Sequence, residues 1–247
     1  MKNITISPAE RGRTWLPIAL EDDQVNFSYP PVQGTHQECF KAINQDSEIR
    51  SAEGVELALL AYGAYHADEQ KDNKEWEEVK KLFKNNYIRV PARTLWIPQE
   101  YAKTVESGGV LVERDTQGNG LNTKMEIPNI KKWIKDDYGI YISQDKNQKF
   151  IPFGSYTLGV HTKESFAKDA YTISVLSKEG AGIFAQTVEY AGLKPWIWGV
   201  DIQKIESPEQ RVSLLFGGVS GLYLGGDVRS DDGDYRAFGV RKKTGED

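Results

Sequence analysis

Residues 214–241 read LLFGGVSGLYLGGDVRSDDGDYRAFGVR, and this glycine-rich stretch decides how the carboxyl half of the chain folds. Apolar residues alternate with small or polar residues from 221 to 228, which is the period of a β-strand. The alternation assigns Leu222 and Leu224 to a buried face and Tyr223 to an outward face. The glycines do not form a phosphate loop, because no Gly-Lys-Ser/Thr ending follows and the string connects strand to strand.

The sequence before this stretch predicts a strand, two helices and then further strands. We expect strands at 151–160, 196–202, 211–217, 222–228 and 237–242, and helical segments at 165–177 and 178–191. Thr162 is suited to cap the first helix, and Gly192 is suited to end the second in a left-handed conformation. Because no helix separates the final strands, the pattern favours an antiparallel α+β arrangement over a parallel doubly wound one.

The amino-terminal half has weaker patterns. Residues 1–50 are expected to be irregular, followed by helices at 51–66 and around 76–83, a strand at 87–97 interrupted by Pro91, and a hairpin of 109–113 with 123–127. The polar stretch 144–149 is the best candidate for a domain boundary. The expected organisation is an amino-terminal α+β region of unknown role, residues 1–148, and a ligand-binding domain, residues 149–247.

Composition excludes several classes of protein. The 247 residues carry a net charge of -5, which disfavours binding to nucleic acid or to an anionic membrane surface. A single cysteine, Cys39, excludes an intrachain disulfide and a cysteine-rich metal site. No apolar run reaches the length of a membrane span and no signal-peptide core is found, so we expect a cytoplasmic protein by default.

Signals of catalysis or metal binding are weak. The three histidines His36, His66 and His161 lie in different predicted elements and form no zinc motif. Cys39 has no nucleophile signature around it and is expected to be a small buried thiol. The aspartates after residue 226 do not have the spacing of a calcium loop and are expected to form a solvated turn. We therefore expect no enzyme activity, no cofactor and no metal.

The outward positions of residues 219–235 are rich in Tyr, Ser, Gly, Asp and Arg, the residue types that binding paratopes favour. Tyrosine supplies contact area at low entropic cost, whereas Arg and Asp form directed polar bonds. An ordinary glycine-rich hairpin with loop residues is the alternative on composition alone.

The segments LLFGG at 214–218 and RAFGVR at 236–241, with a polar and glycine-rich run between them, resemble the variable region of C-type-lectin-fold proteins diversified by retroelements. The resemblance is closest to the archaeal group of these variable proteins and covers the chain from about Ile151. It implies a C-type-lectin-like fold, two helices with a small antiparallel sheet, and a non-catalytic, calcium-independent protein that displays a hypervariable binding surface.

The resemblance supplies a test within the sequence. In that family, adenines of Asn codons are copied into random bases, and such codons cannot produce Lys, Glu, Gln, Met or Trp. Those five types make up about a quarter of this chain, a typical share for a globular protein. None of them occurs between Gln210 and Lys242.

The resemblance implies two sets of residues. The variable, ligand-binding set is Val219, Ser220, Tyr223, Gly225, Asp227, Arg229, Ser230, Asp231, Asp232, Asp234 and Tyr235. The scaffold set is Leu215, Phe216, Leu222, Leu224, Phe238 and Val240. The expected partner is an unidentified protein or surface molecule.

Two alternatives stay open. One is a structural or viral attachment module of the same fold with a fixed ligand. The other is a relative of the formylglycine-generating oxidases, which share the fold but depend on a cysteine pair near the carboxyl terminus, whereas Cys39 lies at the other end of this chain.

Overall fold

The computed structural model describes residues 5–6, 14–20, 23–67, 73–102, 107–218, 221–228 and 235–242, with side chains from Trp15 onward except for Asp227 and Val228. The helices are α1 (His36–Gln45), α2 (Gly54–His66), α3 (Lys74–Asn85), α4 (Lys163–Lys168) and α5 (Ala170–Tyr190). The strands are β1 (Thr5–Ile6), β2 (Thr14–Leu20), β3 (Asp23–Tyr29), β4 (Val32–Gly34), β5 (Ile49–Ser51), β6 (Tyr87–Ile97), β7 (Gly109–Arg114), β8 (Ile134–Lys135), β9 (Tyr141–Ile142), β10 (Gln148–Pro152), β11 (Gly159–Val160), β12 (Lys194–Trp198), β13 (Glu209–Gly217), β14 (Gly221–Val228), β15 (Tyr235–Ala237) and β16 (Gly239–Arg241).

These elements form a mixed α+β protein with two sheets. The first sheet is antiparallel, with strand order β1-β2-β3-β16-β5. The second has the order β11-β12-β14-β13-β6-β7-β10-β9-β8, and β15 adds to it by pairing with both β6 and β4. None of the helices in the described ranges combines the length and the apolar character that a membrane span needs.

The main core lies between the sheets and a layer of helices. Its apolar cluster runs through the chain from Leu16 to Val240 and includes side chains of α2, α3 and α5. The α2 helix packs closely on α5, because Gly54 lets the two backbones approach. A Cβ at Gly54 would lie 2.2 Å from the carbonyl oxygen of Val175.

Several elements predicted from local sequence are confirmed. The Thr162 side chain accepts a hydrogen bond from the Ser165 N–H at the start of α4. Gly192 follows α5 with φ of 68°, the left-handed conformation expected of a helix C-cap. Leu222 and Leu224 of β14 are fully buried, as the alternation predicts.

Other expectations are wrong. Residues 1–50 are not irregular, because the described part of this range contains β1 to β5 and α1. Residues 123–127 form no strand, and β7 pairs instead with β6 and β10. Two pairings are parallel, β12 with β14 and β15 with β6, so the second sheet is not wholly antiparallel.

Pro91 does not interrupt β6, which runs unbroken from Tyr87 to Ile97. Its register against β13 shifts at this point, since Val212 is opposite Arg93 whereas Leu214 is opposite Arg89. The extra residues are on β6 and form a bulge around Pro91. Because a bulge residue is unpaired, a proline there, which has no N–H, removes no hydrogen bond from the ladder.

The expected boundary between residues 148 and 149 falls inside β10. Strands from both sides of it share both sheets: β16 lies between β3 and β5, and β15 lies between β4 and β6. Residues 144–147 of the polar stretch that suggests a boundary form the tight turn between β9 and β10, and residues 148–149 begin β10.

Candidate recognition surface

One face of the second sheet carries a row of aromatic side chains contributed by five adjacent strands. The register places Trp196 of β12 opposite Tyr223 of β14, which is opposite Phe216 of β13. It then places Phe216 opposite Tyr87 of β6, and Tyr87 opposite Tyr235 of β15. We call the aromatic row the six residues Tyr87, Trp196, Trp198, Phe216, Tyr223 and Tyr235.

The rings of the aromatic row are in continuous contact. Phe216 stacks on Tyr223 with ring centroids 4.6 Å apart and planes 11° apart. Tyr223 lies 5.7 Å from Trp196 and 6.4 Å from Trp198. Tyr87 joins the other end, 5.2 Å from Phe216 and 5.5 Å from Tyr235. At a strand spacing of about 4.8 Å, five strands make the row about 19 Å long.

Strand alternation explains why the second sheet is apolar on both faces here, with the aromatic row on one face and core residues on the other. In β12, Ile197 is buried in the main core, while Trp196 and Trp198 project to the opposite face. In β13, Leu215 is fully buried and Phe216 is half-buried in the row. The expectation that Phe216 belongs to the same buried scaffold as Leu215 is therefore wrong, since the two side chains lie on different faces.

Exposure varies along the row. Trp198 and Tyr87 are 45% and 43% exposed and are among the exposed large hydrophobic residues of the chain. Tyr223 between them is 9% exposed, because the rings of Phe216 and Trp196 flank it. The expectation that Tyr223 stands free on an outward face is wrong, since only a small part of its ring is accessible.

Tyr235 is also misassigned as an exposed residue. Its side chain is 2% exposed, and the Arg89 guanidinium lies 3.5 Å from its ring centroid. Arg89 is itself buried, so this cation–π contact forms in a desolvated setting where such contacts are strongest. Tyr235 therefore fixes one end of the row instead of presenting a free ring.

The structure describes few of the predicted variable residues. Tyr223, Gly225 and Tyr235 are described, and all three are buried. Asp227 belongs to β14 by its backbone. The remaining positions lie outside the described residues: Val219, Ser220, Arg229, Ser230, Asp231, Asp232 and Asp234. In the sequence, Val219 and Ser220 lie between Phe216 and Tyr223 of the row. The other five positions lie between Tyr223 and Tyr235.

Sequence reasoning missed Tyr87, Trp196 and Trp198 as surface residues. The pattern Trp196-Ile197-Trp198 carries the signal, because strand alternation places the two tryptophans on one face and the isoleucine on the other, which predicts apolar side chains on both faces of the sheet. Tyr87 carries no such local signal, since its place in the row depends on pairing with Phe216, which lies 129 positions later.

The candidate catalytic groups are held in structural roles. His36 of α1 lies with its Nε2 atom 3.0 Å from Asp115, and both residues are buried. Burial lowers the pKa of His36, so the neutral ring donates a hydrogen bond to the carboxylate. Burial alone would raise the pKa of Asp115, but hydrogen bonds from His36 and from the N–H groups of Gly120 and Asn119 lower it overall. The pair fastens residues 115–120 to α1.

Cys39, one turn after His36, is fully buried. Its thiol faces the carbonyl oxygens of Val32 and Gly34 at 3.6 and 3.5 Å. Burial raises the pKa of the thiol to about 11, which leaves almost no thiolate near neutral pH. This is the environment of an inert structural cysteine.

The remaining histidines also have structural partners. His66 stacks against Tyr62 and Tyr190 with centroids 3.8 Å away in each case. His161 is within hydrogen-bond distance of the Thr157 carbonyl and the Ser165 hydroxyl. Within the described ranges, no group of three or more His, Cys, Asp or Glu side chains is placed to hold a metal ion.

Comparison with known proteins finds no matching family model, no significantly similar curated protein and no significantly similar solved structure.

Proposed function

We propose that this protein is a non-catalytic ligand-recognition protein whose binding surface is centred on the aromatic row. The observation that carries the proposal is the unbroken contact of six rings, two of which, Trp198 and Tyr87, are close to half exposed. Aromatic side chains with few rotatable bonds give large contact area at low entropic cost and dominate binding hot spots.

The row offers a rigid platform. The Phe216–Tyr223 stack and the Arg89–Tyr235 contact restrain its centre and one end, so these rings lose little freedom when a ligand binds. The partner is a protein or surface molecule that places apolar or planar groups over Trp198 and Tyr87.

We further propose that the carboxyl half has a C-type-lectin-like fold. The order of its elements supports this, with α4 and α5 followed by strands β12 to β16, as does the burial of Leu222 and Leu224. In this proposal the first sheet completes the domain, because β16 is paired on both sides by strands of the amino-terminal half.

Retroelement diversification, as part of this proposal, is confined to two segments that adjoin β13, β14 and β15 in the sequence, residues 219–220 and 229–234. Tyr223, Gly225 and Tyr235 are buried, so random replacement at these positions would disturb packing. The absence of Lys, Glu, Gln, Met and Trp from 211 to 241 supports diversification.

The deciding experiment is to sequence the DNA around the gene. We expect a near-identical repeat with Asn codons at positions within 219–220 and 229–234, next to a reverse transcriptase gene. A region without such a repeat would refute diversification and leave a recognition protein with a fixed ligand.

A second experiment tests whether the two segments can vary without loss of fold. A library randomised at Val219, Ser220 and the aspartates of 231–234 is expected to yield mostly folded protein, as judged by protease resistance. A matched library randomised at buried Leu215, Leu222 and Leu224 is expected to yield mostly unfolded protein. Equal losses in the two libraries would contradict a display role for the segments.

The fixed-ligand module is the second candidate, and the burial of Tyr223 and Tyr235 favours it. Two of the predicted variable tyrosines help build the platform, which is what a constant binding surface requires. Copies of the gene from related genomes would separate the candidates, since a fixed-ligand module keeps one sequence over 219–235.

A further inference from the structure

A cavity of about 220 Å³ lies between α2, α5 and the strands β6 and β7. We call it the α2–α5 cavity. Its walls include Gly54 and Val55 at the start of α2, Ser174 of α5 and the cations Arg114, Lys146 and Lys149. It shares no residue with the aromatic row. Its volume equals about seven water molecules at about 30 Å³ each, which is enough for a small anion with part of its hydration.

The cavity concentrates positive charge in an acidic protein. Three cations line it against one carboxylate, Glu53, although the whole chain has a net charge of -5. Arg114 pairs with Glu53 at the exposed side of the cavity. The charges of Lys146 and Lys149 are therefore not matched by carboxylates among the lining residues. Glu56, further into α2, pairs with Arg50 at 2.7 Å.

Lys149 is the most deeply placed of these cations. Its ammonium donates a hydrogen bond to the Ser174 carbonyl at 3.0 Å, and burial lowers its pKa although Asp136 and Glu53 act in the opposite direction. An ammonium carries three N–H donors, and one of them is used in this bond. The remaining donors are available to an acceptor in the cavity.

Ser174 adds an unsatisfied polar group. Its side chain is 6% exposed, and its hydroxyl has no hydrogen-bond partner among the described residues although it is buried. A buried hydroxyl without a partner costs free energy, so its presence in the wall of a cationic cavity points to a ligand that bonds to it.

The backbone of the cavity is strained at two points. Lys146 and Ser177 have φ of 60° and 69°, and they are the two non-glycine residues with positive φ in the described parts of the chain. Both line this cavity. Ser177 breaks the α5 helix there, and its hydroxyl accepts a hydrogen bond from the Gly180 N–H. Such strain collects at sites where the position of a side chain matters more than stability.

We propose that the α2–α5 cavity binds a small phosphate-type oxyanion, held by the Lys149 and Lys146 ammonium groups, the Ser174 hydroxyl and the N–H groups of Gly54 and Val55 in the first turn of α2. The N–H groups of Gly54 and Val55 lie at the positive end of the helix dipole and have no carbonyl partner within the helix, whereas the capping box of Glu53 and Glu56 uses the N–H groups of those two residues. The phosphate group is the recognised chemistry, whether it belongs to inorganic phosphate or to a small phosphomonoester.

Isothermal titration calorimetry at constant ionic strength tests the proposal, with inorganic phosphate in one arm and glycerol 3-phosphate in the other. We expect saturable binding of at least one ligand, and the tighter ligand identifies the source of the phosphate group. Lys149→Met is expected to weaken binding about tenfold or more, because a charge-assisted hydrogen bond is lost. Ser174→Ala is expected to weaken it by a smaller factor. The matched control Lys132→Met, at an exposed lysine outside the cavity, is expected to bind as the parent does.

Lys146→Gly separates binding from folding. Glycine adopts positive φ without strain, so this variant is expected to melt at a higher temperature and still to bind phosphate more weakly. The absence of saturable heat with both ligands would overturn the proposal and leave Lys149 as a cap for the first half of α5. Equal weakening by Lys149→Met and Lys132→Met would overturn it too, because that result indicates charge screening without a site.

Discussion

Replacing Gly226 by alanine tests the packing of β14 directly. A Cβ at this position would lie 1.9 Å from the hydroxyl oxygen of Tyr171 and 2.8 Å from its Cζ atom. Tyr171 is fully buried on α5, with its ring centroid 5.6 Å from that of Trp96. Restoring an ordinary contact of 3.4 Å requires a displacement of about 1.5 Å, since 3.4 minus 1.9 is 1.5.

The strand cannot move away to make that room without losing hydrogen bonds. The Gly226 carbonyl accepts the indole N–H of Trp96 at 2.7 Å and the hydroxyl of Thr94 at 3.2 Å. Overpacking of a core typically costs about 1–3 kcal/mol, and loss of a buried hydrogen bond adds about 1 kcal/mol. We therefore expect Gly226→Ala to lower the free energy of unfolding by about 3 kcal/mol.

Urea denaturation followed by circular dichroism measures this change, with the m-value checked for constancy. Gly182→Ala is the matched control, because no atom lies within 4 Å of its Cβ position in α5. This control is expected to raise the free energy of unfolding by about 0.5–1 kcal/mol. The double variant with Tyr171→Phe removes the nearest clashing atom and is expected to recover part of the loss. A Gly226→Ala midpoint equal to that of the parent would refute the assigned face of β14.

Two further perturbations give separate tests. Because burial lowers the pKa of His36, the unfolded chain takes up a proton near the ordinary value of 6.5 before the folded chain does, so stability falls as the pH decreases through that value. Urea midpoints at about pH 7.5 and about pH 5.5 are expected to differ more in the parent than in His36→Gln, and parallel curves would contradict a buried neutral imidazole. Tyr223→Ala is expected to cost about 2–4 kcal/mol, whereas Trp198→Ala is expected to cost below about 1 kcal/mol because its ring is 45% exposed. Thermal melts of the two variants measure the difference, and the reverse order would invalidate the exposure pattern of the row.

The sequence predicts correctly those features that depend on neighbouring residues in the chain. The alternation of β14 predicts the burial of Leu222 and Leu224, and the chemistry of Thr162 and Gly192 predicts a helix start and a helix end. In each case the deciding partner lies within a few residues, so a short window of sequence contains the necessary information.

The features that the sequence does not predict depend on contacts between residues that are far apart in the chain. The strands of residues 1–50 have little period of their own, and β3 and β5 are joined by β16, which lies about 210 positions after β3 and about 190 after β5. Alternation assigns Tyr223 to a face but cannot say whether that face is covered, and the resemblance places Tyr235 in the variable set without showing what packs on its ring. The covering groups, Phe216 and Trp196 for one and Arg89 for the other, come from separate strands. Similarly, the α2–α5 cavity gathers residues from β7, β10 and two helices.

The position of β15 and β16 between strands of the amino-terminal half has a consequence for biosynthesis. Residues 235–241 pair with β4 and β6 in one sheet and with β3 and β5 in the other. Until they emerge from the ribosome, β3 and β5 each retain an unpaired edge that can associate with other chains. Completion of the two sheets then depends on contacts between residues far apart in the sequence, and such contacts form slowly. We therefore expect a nascent chain stalled before Tyr235 to need chaperone protection, and the emergence of β15 and β16 to complete both sheets at once.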